Sequence, residues 1–249
     1  MSELDKHIFL GLPAHKPRVW VDLSSTASKR AGLAMHRPGR KVLQWAVKIL
    51  GWFAWLPIEK ILKGPVKRFN ELDGFELIEE MINEPIEFIT YYMGNGSAKS
   101  KYTILIKTKS GKQYIAKLGK TPEAGAAIRQ EVESLKRLER IDGVSDRVPR
   151  VVGAVGSNGP WVWSVQTVLP KGKSDVIFNG VHRRFLRVLH DATREGDQVL
   201  VHGDFAPWNM SVVNGRLYVY DWEDAHMGSP DEDEKWFKKQ VKELLGVDA

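Results

Sequence analysis

Two alternating runs, Tyr102 to Lys109 and Lys112 to Leu118, are separated only by Ser110-Gly111. A two-residue turn of this kind joins neighbouring antiparallel strands and little else. Upstream, Pro85 is followed by Ile86-Glu87-Phe88-Ile89-Thr90-Tyr91-Tyr92, rich in β-branched and aromatic residues, which runs into Gly94-Asn95-Gly96-Ser97. That is a third strand entering a glycine-containing turn. Pro122 then opens a helix whose apolar stripe is Ala127, Ile128, Val132, Leu135 and Leu138, ending near Ile141. Val148 to Val155 and Trp161 to Leu169 read as two further strands around Ser157-Asn158-Gly159. The expectation is a five-stranded antiparallel sheet with one helix.

The flanks read less sharply. Residues 17–24 and 29–36 alternate weakly around Ser25-Thr26-Ala27-Ser28, as a hairpin would. Arg40 to Lys63 is mostly helical, with Leu43, Val47, Leu50 and Ala54 in register and Trp45, Trp52 and Trp55 alongside; a second helix spans 72–83. Beyond the sheet, Val181 to Thr193 and Glu232 to Leu245 read as helices, and 198–201 and 217–220 as short strands. Three regions follow: a basic, Trp-rich segment 1–85, a sheet region 86–170 and a small helical region 171–249.

Composition narrows the classes. At 249 residues and 43% apolar content the chain can bury one core or two small lobes. It has no cysteine, which removes disulfides, thiolate metal sites and thiol nucleophiles and suits the cytoplasm. The net charge of +6 is unevenly placed: residues 1–68 hold thirteen Lys/Arg against four acids, a balance of +9, so the remainder sums to −3. A basic arm on a near-neutral body points to an anionic neighbour such as a membrane surface or a lipid-linked phosphate, or else is a solvated surface. The longest apolar stretch, Val42 to Ile58, is broken by Lys48 and shortened by Pro57, below the ~20 residues of a membrane span. No secretory pattern opens the chain.

The chemistry concentrates in Leu200-Val201-His202-Gly203-Asp204-Phe205-Ala206-Pro207-Trp208-Asn209-Met210, followed by Leu217-Tyr218-Val219-Tyr220-Asp221-Trp222-Glu223. Phosphoryl transfer needs a carboxylate facing the acceptor hydroxyl and oxygen ligands for a divalent cation beside the phosphates. Asp204, Asn209 and Asp221 are candidates for those three tasks. Each alone is a common turn or capping residue; the three at this spacing, with a strand on either side, are a more specific set.

These residues resemble the His-Gly-Asp-x-x-x-x-Asn and Asp-x-x signatures of the aminoglycoside phosphotransferase and choline-kinase-like family, within the protein-kinase-like superfamily. The resemblance implies an α+β, two-lobed protein-kinase-like fold with a five-stranded N-lobe and a small helical C-lobe, using ATP and Mg. It implies Asp204 as catalytic base, Asn209 and Asp221 as metal ligands, and His202 as a structural residue beneath the loop. Lys117, in Tyr-Ile-Ala-Lys-Leu-Gly, matches the lysine that reaches the α- and β-phosphates. Glu131 matches its ion-pair partner; Glu133 competes, but projects from another helical face. Gly94, Gly96 and Ser97 stand where a loop covers the phosphates, without a full Gly-x-Gly-x-x-Gly pattern or a Walker lysine. Backbone groups near Gln166-Thr167-Val168-Leu169 stand where the adenine would lie.

The resemblance covers roughly 86–245 and is dense at 94–135 and 200–230. The large lobe is short, Gly203 replaces the usual Arg and no Ala-Pro-Glu motif follows Asp221, which argues against a protein substrate. The expected partners are ATP and a small-molecule or sugar-like acceptor, with a candidate peripheral membrane contact through residues 1–68. The competing arrangement for the tryptophan helix is packing against the kinase body, and the competing function is a pseudokinase or nucleotide-sensing module. No nucleic-acid-binding module is recognisable.

Overall fold

The computed structural model describes residues 3–35, 41–94 and 97–246. It divides into two compact units, Met1–Gly125 with Gly156–Val165, and Ala126–Val155 with Gln166–Ala249.

The first unit opens with β1 (Ile8–Leu12) and β2 (Val19–Asp22), continues through helices α1 (Thr26–Met35), α2 (Lys41–Trp52) and α3 (Ile58–Leu62) to β3 (Val66–Arg68), and passes a short helix α4 (Ile78–Met81). Then come β4 (Ile86–Met93), β5 (Tyr102–Thr108) and β6 (Gln113–Gly119), close to the strands the alternation predicts. The Ser110-Gly111 turn sets the β5–β6 register at Ile104 opposite Ala116 and Ile106 opposite Tyr114. The chain continues into α5 (Pro122–Leu138), β7 (Val151–Asn158) and β8 (Trp161–Thr167).

Two sequence expectations are corrected here. The sheet has eight strands in the order β3-β1-β2-β4-β5-β6-β8-β7, not five. The extra three come from the N-terminal segment: β2 docks on β4 with Trp20 opposite Tyr91, and β1 follows with Leu10 opposite Val21. β2 lies within 17–24, the first arm of the expected hairpin, but it pairs with β1 and β4, and with all four residues buried its alternation is weak. The second correction is α1, which occupies much of the segment read as the return strand of a hairpin. Ser25 Oγ accepts the Ser28 N–H and Ser28 Oγ accepts the Ser25 N–H, both at 3.0 Å. This reciprocal cap starts a helix where a turn was expected. Its Leu33 joins Leu10, Leu12, Val19, Val21 and Ile58 in a core. Gly32 permits the approach, since a Cβ there would come within 2.6 Å of Val21 Cγ1.

In the second unit α6 (Gly180–Thr193) is capped by Asn179, whose side chain accepts from the Val181 N–H at 2.9 Å. The strands β9 (Val199–Val201), β10 (Met210–Val213), β11 (Arg216–Val219) and β12 (His226–Gly228) precede a final helix α7 (Glu232–Leu245). They pair as two small antiparallel ribbons, β10 with β11 and β9 with β12. The small helical region was expected to carry two short strands, and among its described residues it carries four. Its core is aromatic, with Phe185, Phe205, Trp222 and Phe237 fully buried.

Candidate active site

The two ribbons carry the candidate residues out of their strand ends. β9 leads directly into His202-Gly203-Asp204. β10 pairs with β11 with Met210 opposite Val219, and the Tyr220 N–H donates to the Asn209 carbonyl at 3.0 Å. Asn209 and Tyr220 therefore stand at the same end of one ribbon, and Asp221 follows at once, in the left-handed region at φ 71°. A non-glycine residue is uncommon there.

His202 is fully buried and ties the two segments together. Its Nδ1 accepts the Asp204 N–H at 3.2 Å, so the ring proton sits on Nε2, which donates to the Tyr220 carbonyl at 3.1 Å. Both ring nitrogens are committed to backbone, which fits a scaffold and not a base. Gly203 has φ +80°, and a Cβ on it would lie 2.3 Å from the Asp224 carbonyl oxygen. The backbone of the 202–204 loop thus rests directly on the segment that follows Asp221.

The Asp204 carboxylate is held from both sides. Oδ2 accepts from Asn209 Nδ2 at 2.7 Å, and Oδ1 accepts from the indole Nε1 of Trp236 at 2.8 Å. Asn209 Nδ2 also donates to the Asp204 carbonyl at 3.0 Å. With its nitrogen spent on Asp204, Asn209 keeps its amide oxygen for another partner. That oxygen and the Asp221 carboxylate are hard donors of the kind magnesium takes. With nucleotide phosphates and water completing the set, these residues would suit the ion the resemblance implies.

Asp233 and Trp236 are the site residues that sequence reasoning missed. Asp233, in the first turn of α7, is fully buried. Its carboxylate accepts the His202 N–H at 2.9 and 3.1 Å and the Gly203 N–H at 3.2 Å. Burial pushes its carboxyl above the ordinary carboxylate range, while the backbone N–H bonds from His202 and Gly203 pull the other way. Asp233 sits among Asp231, Glu232 and Glu234, an acidic helix start that needs no explanation beyond the helix dipole, and nothing in the sequence singles it out.

Of the residues expected at the phosphates, Lys117 lies in β6 at only 7% exposure, which sets it apart from a surface lysine. Of the two acids weighed on α5, Glu131 is fully buried and Glu133 exposed. Gly94 donates its N–H to the Lys101 carbonyl at 3.0 Å, and a Cβ there would sit 2.3 Å from Ser100 Oγ. Ser97 is exposed, and its carbonyl accepts the Ser100 N–H at 2.9 Å. Gly96 lies outside the described residues.

Comparison with known proteins gives one family match over part of the chain and a set of similar folds. Residues 177–234 match the model of APH, the phosphotransferase enzyme family. Among solved structures, amicoumacin kinase hAmiN in complex with AMP-PNP, Ca2+ and Ami is similar at 11% identity and a TM-score of 0.50, over 71% of this chain and 76% of that one. A putative fructosamine-3-kinase from Haemophilus somnus aligns at 12% identity and TM-score 0.48, over 70% and 82%. Aminoglycoside phosphotransferase APH(4)-Ia, as a thermostable mutant with AMP-PNP and hygromycin B, aligns at 10% and 0.47, over 69% and 83%. No curated protein matches the sequence. The segment similar to the phosphotransferase enzyme family contains His202, Asp204, Asn209 and Asp221, and the fold is similar to that of the amicoumacin kinase.

Proposed function

We propose that this protein transfers the γ-phosphate of ATP, with magnesium, to a hydroxyl of a small, sugar-like acceptor. The observation that carries the reading is the doubly held Asp204 carboxylate beside an Asn209 whose amide oxygen is left for a cation. In this reading Asp204 orients the acceptor hydroxyl and takes its proton as the hydroxyl oxygen bonds to the γ-phosphorus and ADP leaves. Asn209 and Asp221 would hold the ion. Magnesium, when bound, offsets the negative charge on the phosphate oxygens. Lys117, paired with Glu131, binds the α- and β-phosphates, and the backbone around Gly94, Gly96 and Ser97 covers them.

The acceptor in this reading is an envelope or lipid-linked sugar, and the basic residues 1–68 make peripheral contact with the membrane that carries it, on the cytoplasmic face. No described helix is long and apolar enough to cross a membrane.

The test is Asp204→Asn, assayed for ADP release over a panel of sugars, aminoglycosides and choline. Turnover should fall about 10²- to 10⁴-fold, while the thermal shift produced by ATP with magnesium is retained. Undiminished turnover would remove Asp204 from its role, and the proposed mechanism with it.

A further inference from the structure

The segment 49–61 of the first unit is built inside out. Ala54 and Ile58 are fully buried, while Ile49, Trp52, Phe53, Trp55 and Ile61 are exposed, Trp52 at 78% and Trp55 at 65%. Val47 and Leu50 of α2 turn inward and pack against the core of Leu10, Val21 and Leu33. The small side chain thus faces the core and the indoles face water, the reverse of what burial alone selects.

The presentation is anchored from α1. Arg30 Nε donates to the Gly51 carbonyl at 3.1 Å and Lys29 Nζ to the Leu56 carbonyl at 3.4 Å. These bonds fix the turn between α2 and α3 and bring two cations to it. Lys48, Lys60 and Lys63 are exposed around the same turn. Residues 41–68 hold six Lys/Arg against one acid, Glu59.

Exposed tryptophans ringed by lysines discriminate between occupants. Protein interfaces favour aromatic residues but are depleted of lysine. At a bilayer surface the indoles sit at the headgroup level while lysines meet anionic lipid. We infer that the α2–α3 turn is a membrane-docking surface that inserts Trp52, Phe53 and Trp55 into the interface of an anionic bilayer, with Lys48, Lys60 and Lys63 on the headgroups. The inference deepens, and for its purpose rests on, the reading that the acceptor is carried at a membrane. The surface itself is testable without that reading.

The experiment is co-sedimentation of the full chain with vesicles of phosphatidylcholine alone and with phosphatidylglycerol added. Binding to the anionic vesicles should exceed binding to the neutral ones at low salt and weaken as salt rises. Trp52→Ser with Trp55→Ser should reduce vesicle binding about tenfold or more with an unchanged melting temperature, since both side chains lie outside the core. Lys48→Glu with Lys60→Glu should remove the preference for phosphatidylglycerol. If the wild type stays in the supernatant with anionic vesicles at low salt, or the tryptophan variant binds as well as the wild type, the inference is overturned. Self-association in sedimentation velocity that the tryptophan variant abolishes, without vesicle binding, would assign the surface to a second copy instead. Asp204→Asn, run alongside, should bind vesicles as the wild type does. Vesicle binding together with undiminished turnover of that variant would leave the surface standing and remove the phosphotransfer mechanism.

Discussion

The indole N–H of Trp236 donates to Asp204 Oδ1 at 2.8 Å. Three residues earlier on the same helix, Asp233 accepts the backbone N–H groups of His202 and Gly203. One helix therefore fixes both the main chain and the side chain of the Asp204 loop, and Asn209 on Oδ2 stops the carboxylate from rotating.

Trp236→Phe keeps the ring and removes the donor. A hydrogen bond to a charged group contributes about 1.5–3 kcal/mol, so kcat should fall about tenfold or more while KM for ATP stays constant. Steady-state kinetics checks the split. A change confined to KM for ATP would show that Trp236 does not act through Asp204.

Asp233→Ala leaves the buried His202 N–H and the half-buried Gly203 N–H without their acceptor. Each orphaned group costs about 1–3 kcal/mol, so the melting temperature should fall by roughly 5–15 °C for a chain of this size. Asp233→Asn, which keeps one acceptor oxygen, should lose less. Calorimetry of the pair checks the order.

Gly203→Ala meets two obstacles, a positive φ and the Asp224 carbonyl. The backbone strain costs about 1–3 kcal/mol, and relieving the contact moves the segment next to Asp221. Stability and turnover should fall together, in contrast to Trp236→Phe, where turnover falls alone.

Asp221→Asn replaces the anionic ligand proposed for magnesium with a neutral one. The thermal shift given by ATP with magnesium should drop toward that given by ATP without it, in proportion to the lost affinity. A full magnesium-dependent shift in the variant would place the cation elsewhere.

His226 donates through Nδ1 to the Asp224 carbonyl at 2.9 Å and pairs through Nε2 with Glu232 at 2.9 Å. The bond to the Asp224 carbonyl raises its pKa above the ordinary 6.5; burial opposes it, and the Glu232 charge adds a lesser upward pull. A raised folded-state value means that the stabilisation is complete below the unfolded value and is lost as pH rises through the folded one. Both side chains are substantially exposed, so the effect is small, at most about 0.5 kcal/mol. The melting-temperature gap between wild type and His226→Gln should be largest below pH 6.5 and close as pH rises.

The strands β4 to β6 and the helices α5, α6 and α7 were legible because their signals are local: a two-residue turn, a proline at a helix start, a periodic apolar stripe. The set Asp204, Asn209 and Asp221 was legible for a related reason, since all three lie within eighteen residues between recognisable strands. β1 was not, and β2 was read as a hairpin arm with the wrong partner, because strands buried on both faces give only a weak alternation. The start of α1 was misread because Ser25 and Ser28 suit a turn and a helix cap equally well.

The sequence by itself determined the antiparallel centre of the sheet, the class of chemistry and the residues nominated for it. It could not pair Trp236 with Asp204, separate Asp233 from three neighbouring acids, or turn Trp52 and Trp55 outward while Ala54 went in. Those outcomes depend on which side chains long-range packing leaves in reach of one another and of water, and helical periodicity assigns a residue to a face without saying what that face will meet.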